Sequence, residues 1–218
     1  MSLTTKLQAV VRRGSAADYA AGDNYPVMNN RGDVSVAQGL PSKTELSRLG
    51  RWSVAIATGS AFTPVAAFPT TLANLVLYNG DSTKTFVVDT IWAVGITSIA
   101  AATSFTLLAQ LSTAGVAAPT NDTAQLITST SGHGTYAGNA KRAVANTAFA
   151  IANKWTVVGQ SSGHPSTAIG ACAFADVFGG ILIPPLSCLG VNLVASTAAG
   201  TAIQGIDWYE LVLPLPNT

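Results

Sequence analysis

Two histidines, two cysteines and ten carboxylates are the whole stock from which this chain can build a reactive centre. His133 lies in Gly132-His133-Gly134 and His164 precedes Pro165, both loop settings. A nucleophilic triad needs a Ser or Cys, a His and a carboxylate brought together in space. Serines are so frequent here that any histidine has one nearby by chance, so proximity in sequence carries no signal. Neither His-x-His nor Glu-x-x-His occurs, so no metal-ligand spacing is present. Glycoside hydrolysis needs two acids about 5–10 Å apart. Asp207 and Glu210 fall on opposite faces of one strand pattern and do not supply that pair. Phosphate-cradling motifs of the Gly-x-x-x-x-Gly-Lys and Gly-x-Gly-x-x-Gly kinds are absent. These readings point to a protein that is not an enzyme and has no catalytic residues, no metal and no cofactor. Cys172 and Cys188 are too few for a disulfide-built scaffold. Whether they pair is left open; a free cysteine usually serves as a small buried hydrophobe.

Binding motifs are equally sparse. Arg31-Gly32-Asp33 is an integrin-type tripeptide that a simple turn also explains, and Asn121-Asp122-Thr123 is a glycosylation sequon by pattern. Arg12 and Arg13 are a short cationic pair with only Tyr19 and Tyr25 as aromatic company in that region. Nucleic-acid binders carry denser clusters with interleaved aromatics, so protein contact is favoured over genome contact. Trp52, Trp92, Trp155 and Trp208 all fall in strand patterns, where core packing is favoured over an aromatic sugar platform.

The distribution of charge is more telling. Charged residues make up 10% of the 218, against roughly 25% in an ordinary domain. Residues 1–60 carry seven basic groups against four acidic ones, a net +3, whereas residues 61–218 carry four against six, a net −2. A soluble enzyme keeps a charged surface to stay dispersed. A chain without one is expected to hide surface against other copies or other proteins. The N-terminus does not read as a secretory signal, because five uncharged residues separate Lys6 from Arg12. No apolar run reaches the ~18–20 residues that span a bilayer, so no membrane partner is expected.

Residues 1–50 read as an extended arm. Gly14, Gly22, Pro26, Gly32, Gly39 and Pro41 break it repeatedly. Residues 51–218 read as a body of strands. Trp52, Val54 and Ile56 alternate with small residues. Asn79-Gly80 after Leu75–Tyr78 predicts a hairpin-type reversal. A long strand follows with Phe86, Val88, Thr90, Trp92 and Val94 on one face, then one with Phe105, Leu107, Ala109 and Leu111 inward. Residues 112–148 read as loop. Later strands are expected around Phe149/Ile151, Trp155/Val157, Cys172–Phe178, Leu189–Ala195 and Ile203–Leu213. One face of the strand at 171–177 is Ala171, Ala173 and Ala175, which suits close packing of a second layer or of a neighbour. The sum is an all-β fold: an antiparallel jelly-roll or β-sandwich of about eight to ten strands behind an extended N-terminal arm.

The run Leu75-Val76-Leu77-Tyr78-Asn79-Gly80-Asp81-Ser82-Thr83-Lys84-Thr85-Phe86-Val87-Val88 resembles a strand–turn–strand of the jelly-roll virion proteins of tailed bacteriophages. So do Gly180-Ile181-Leu182-Ile183-Pro184-Pro185 and the closing Ile206-Asp207-Trp208-Tyr209-Glu210. The resemblance spans residues ~70–213 as a style of sequence. It implies a capsid, decoration, collar or tail subunit located in the virion. Its partners would be other copies, as a trimer or a larger ring or shell, and other virion proteins. The contact residues expected from the arm and the alanine face are Arg12, Arg13, Arg31, Arg48, Ala171, Ala173 and Ala175. The alternative is a carbohydrate- or receptor-binding jelly-roll module, which exposed tryptophans beside Asn or Asp would favour.

Overall fold

A computed structural model describes residues 50–56, 61–69, 72–97, 104–112, 127–130, 132, 134–148, 154–162, 170–198 and 200–212, without the side chains of 145–148. The chain separates into two units, residues 1–42 and 43–218, and everything described lies in the second. Among the described residues every regular element is a strand. They are β1 Arg51–Ala55, β2 Leu72–Asn79, β3 Thr85–Gly95, β4 Ser104–Ser112, β5 Ile127–Ser129, β6 Ala140–Ala148, β7 Thr156–Ser162, β8 Cys172–Ile183, β9 Cys188–Ala195 and β10 Ala202–Leu211. None of the described residues forms a helix long and apolar enough to cross a membrane.

These strands form two five-stranded sheets, β5-β1-β10-β3-β8 and β6-β2-β9-β4-β7, antiparallel throughout. Set β5 and β6 aside and the pairing is nested. β1 pairs with β10, β2 with β9, β3 with β8 and β4 with β7. One long hairpin, folded over so that β10 also meets β3 and β9 also meets β4, gives two four-stranded sheets. That is the jelly roll. The inner faces are apolar because alternate residues of each strand are apolar. Val54, Leu75, Leu77, Phe86, Val88, Ile91, Phe105, Leu107, Leu189, Val191, Leu193, Ile206 and Trp208 meet between the sheets. Burying each large side chain stabilises the sandwich by about 1.5–3 kcal/mol.

Residues 112–148 differ from expectation. They hold β5 and β6, and these extend the two sheets at the same side, β5 beside β1 and β6 beside β2. β5 has three residues, and β6 mixes small with charged and polar ones, so neither shows the apolar alternation that marks a strand in sequence. Within this segment Arg142 points inward. It is buried, and its Nη1 donates to the carbonyl of Ala55 in the opposite sheet.

The Asn79-Gly80 reversal is not a hairpin, because β2 and β3 lie in different sheets. Neither residue has a positive φ. Instead the buried Asn79 side chain fastens the crossing. Its Nδ2 donates to the carbonyls of Lys84, Ile183 and Pro184 at 2.8, 3.0 and 3.1 Å, and its Oδ1 accepts from the Asp81 amide at 3.0 Å. Asp81 in turn accepts from the amides of Thr83 and Lys84, which holds its carboxyl below the usual carboxylate range. The long third strand also departs from simple alternation. A bulge at Asp89 shifts the register against both neighbours, so Phe86 and Val88 point inward before it and Ile91 and Ala93 after it.

Two buried amides give a prediction of opposite signs. Gln204 has 0% exposure, and neither end of its amide has a hydrogen-bond partner in the protein. Replacing it with an unbranched apolar chain, Gln204→Met, should raise the unfolding free energy by about 1–2 kcal/mol. Asn79→Leu should lower it by about 2–4 kcal/mol, since the carbonyls of Lys84, Ile183 and Pro184 lose their donor. Urea unfolding of the two variants checks this; a loss of stability in Gln204→Met equal to that in Asn79→Leu would contradict it.

Candidate interaction surface

The sheet β5-β1-β10-β3-β8 turns a patterned face outward. Cross-strand register places Asp207 beside Thr90 and Thr90 beside Asp176, a row across β10, β3 and β8. Arg51 on β1 reaches into this row. Its Nη2 lies 2.9 Å from Asp207 Oδ2, 2.9 Å from Asp89 Oδ2 and 3.4 Å from Thr90 Oγ1. Thr90 Oγ1 donates to Asp176 Oδ1 at 3.1 Å. Val88 faces inward, so Asp89 faces outward by alternation, and the bulge keeps Thr90 outward beside it, so that carboxylates of β3 and β10 converge on one guanidinium.

Two residues along, the same register lines up Gly205, Trp92 and Phe174. A Cβ at Gly205 would sit 2.2 Å from Cζ2 and 2.3 Å from Cε2 of Trp92. The indole therefore lies over β10 in space that only glycine leaves. Trp92 is half-buried, and Phe174 beside it is 59% exposed.

Among the described residues, β8 and β7 end the two sheets at the side opposite β5 and β6. Between Asp176 and Ile181 the edge strand bulges, with Val177–Gly180 set against Asp89 alone. Phe178 and Gly179 in that bulge have φ of 46° and 79°. Such a φ is strained for a phenylalanine, and Phe178 is 68% exposed. Val157 on β7 is 52% exposed at the same side. The carbonyl of Phe174 and the Cβ of Ala175 leave room at Gly159 of β7 for no side chain, since both would lie 2.9 Å from a Cβ there.

Ala171, Ala173 and Ala175 face the other way. All three are buried in the inner core. Of the two uses their small size suits, packing of a second layer is the one observed, which corrects the expectation that they meet a neighbouring subunit. The outward face of β8 is instead Cys172, Phe174, Asp176 and Phe178. Sequence parity already separated the two faces; what it did not give was which one was inside. Gly179-Gly180 is the signal that marks the bulge. Arg12, Arg13, Arg31 and Arg48, together with His133, His164 and Asn121–Thr123, lie outside the described residues. Among the described residues no group of three His, Cys, Asp or Glu side chains is placed to hold a metal ion. Cys172 and Cys188 are free thiols in opposite sheets, and burial pushes the Cys188 thiol up to about 12. Of the tryptophans, Trp208 is core, Trp52 packs against the core, and Trp155 packs on a second cluster with Val76, Tyr78 and Cys188.

One end of the sandwich is closed by aromatics and a buried acid. Tyr136 meets Trp52 edge-on at 4.9 Å and Trp208 at 6.3 Å, and Trp208 stacks on Phe86 at 5.7 Å. The Tyr136 hydroxyl donates to Glu210 Oε1 at 2.5 Å and accepts from the Ala140 amide at 2.8 Å. Lys84 Nζ lies 3.1 Å from Glu210 Oε2. A shallow groove of about 360 Å³ opens between Ala109, Leu111, Val158, Ile181 and Leu189, with Lys154 at its rim.

No family model matches the chain, and no curated protein matches it. Among solved structures, a chain of the cryo-EM structure of Mud Crab Dicistrovirus aligns over 100% of this chain and 92% of its own, at 11% identity and a TM-score of 0.22. A superposition that loose carries no argument about function.

Burial and the Glu210 carboxylate push the Tyr136 phenol well above its ordinary value. An unfolded tyrosine releases its proton near pH 10 while the folded one retains it. Tyr136 therefore contributes stability that is complete below about pH 10 and declines as the pH rises further. Above that point the native chain should lose about 1.4 kcal/mol more per pH unit than Tyr136→Phe does. Denaturant unfolding from pH 9 to 11 checks this; identical slopes for the two proteins would contradict it.

Proposed function

We propose that this protein is a non-enzymatic structural subunit of a virus particle, in line with its likeness to jelly-roll virion proteins of bacteriophages. It assembles with copies of itself, as a trimer or a larger ring or shell, and with other virion proteins. The observation that carries this reading is the side of the sandwich where, among the described residues, β8 and β7 end the sheets. β5 and β6 extend both sheets at one side, whereas the 12-residue β8 and the neighbouring β7 end the sheets at the other. A long free edge is a template for another chain unless charge or proline blunts it. β8 carries no proline and one charge, Asp176, and sets out Phe178 at its strained bulge. A chain with 10% charged residues has little else to keep such an edge apart from its neighbours.

Burial of Phe178 and Val157 between subunits supplies apolar area of the kind that drives association. The arm, residues 1–50, brings the opposite net sign to the body and orients neighbours more than it binds them. Sedimentation velocity tests the reading. The native chain is expected to run as a trimer or larger species. The double variant Phe178→Asp, Val157→Asp is expected to run as a folded monomer with the native circular-dichroism spectrum. An assembled variant, or a native chain that stays monomeric at every concentration, would contradict the proposal.

A further inference from the structure

We infer that the outward face of the sheet β5-β1-β10-β3-β8 carries a carbohydrate-binding platform, with Trp92 and Phe174 stacking on a neutral pyranose and Asp176 accepting from its hydroxyls. The site goes beyond the proposed assembly role and uses a different part of β8, the sheet face instead of the bulged edge.

Three observations carry it. First, the indole of Trp92 is laid across β10 because residue 205 has no side chain; any Cβ there would overlap the ring. An aromatic held over a glycine on a sheet surface presents a fixed apolar plane. Second, Phe174 is the register partner of Trp92 on the far side, so the two aromatics sit on adjacent strands about 4.8 Å apart. The indole leans toward β10 and the phenyl stands on β8, so the apolar surface runs across three strands. Third, the next row holds carboxylates. Asp176 is exposed and oriented by the Thr90 hydroxyl, while Asp89 and Asp207 are held on Arg51. The rows lie about 7 Å apart, so a pyranose resting on the aromatics brings its hydroxyl rim to Asp176. Carbon-bound hydrogens of a sugar carry partial positive charge and meet the negative face of an aromatic ring. Its hydroxyl hydrogens need acceptors, which carboxylates supply.

The same charges select the occupant. Three carboxylates against one guanidinium leave the patch net acidic, so sialylated or sulfated sugars are repelled and neutral ones admitted. A second copy of this chain docking by the same face would set these acids against their own images.

Saturation-transfer NMR on the full chain tests the site. The probes are neutral oligosaccharides of galactose, glucose, mannose and N-acetylglucosamine, with sialyllactose and a sulfated disaccharide as contrasts. Transfer is expected to the ring protons of at least one neutral sugar and to neither anionic one. Trp92→Ala is expected to weaken that binding about tenfold and Asp176→Asn by less, with sedimentation unchanged. Should Trp92→Ala fail to fold, Phe174→Ala on the exposed side of the platform is expected to weaken binding in its place. No transfer to any neutral sugar, preference for the anionic ones, or full binding by both folded ring variants would overturn the site. Sedimentation of the same samples reads assembly separately, so a failure of this inference and a failure of the assembly proposal are distinguishable.

Discussion

A two-sheet sandwich ends in four strand edges, and each edge is a row of amide and carbonyl groups that another strand can join. In this chain the nested pairing of β1 with β10, β2 with β9, β3 with β8 and β4 with β7 fixes where those edges fall. The connection between β4 and β7 then supplies β5 and β6 to one side of both sheets. The other side ends in β7 and β8. On the side where β7 and β8 end the sheets lie the bulge at 177–180, the strained Phe178, and the face on which Trp92, Phe174 and Asp176 align.

Bulges do much of the positioning. At Asp89 one extra residue leaves Asp89 and Thr90 together on the outer face beside Arg51 and returns Ile91 to the core. Without it, Thr90 would turn toward the sandwich interior and Ile91 toward solvent. The same irregularity in β8 opposite that point lifts Phe178 off the sheet edge. The polar row and the exposed edge thus share one geometric cause, a register shift in the middle of β3. Buried polar groups elsewhere do different work. Asn79 ties the crossing from β2 to β3 to the turn after β8, and Arg142 ties β6 to β1 across the interior.

Much of this was legible from residues alone. The period-2 runs named β1, β3, β4, β8, β9 and β10, and the absence of helical periodicity named the fold class. β5 and β6 were not legible, because their residues alternate only weakly between apolar and polar. The Asn79-Gly80 pair was misleading for a physical reason: a buried Asn can spend its amide on carbonyls across a sheet corner as readily as it can take a positive φ in a hairpin. The alanine face of β8 is legible in sequence, but whether it meets a second layer or a neighbour is not. Small side chains suit a close inner layer as well as a contact between subunits, and only the course of β7 over Ala175 decides between them. Trp92 and Gly205 are far apart in sequence, so the platform they form required the register of β10 against β3.

Hydrogen exchange along β8 tests the central claim most directly. Among the described residues, β8 is hydrogen-bonded to a strand on its β3 side alone. If this edge is where copies of the chain meet, exchange of the amides of residues 172–178 that point away from β3 should be slow at concentrations where the protein is assembled and should quicken on dilution to the monomer. The paired amides of β3 should remain slow under both conditions. Fast exchange along 172–178 at every concentration would place the contact elsewhere and contradict the account.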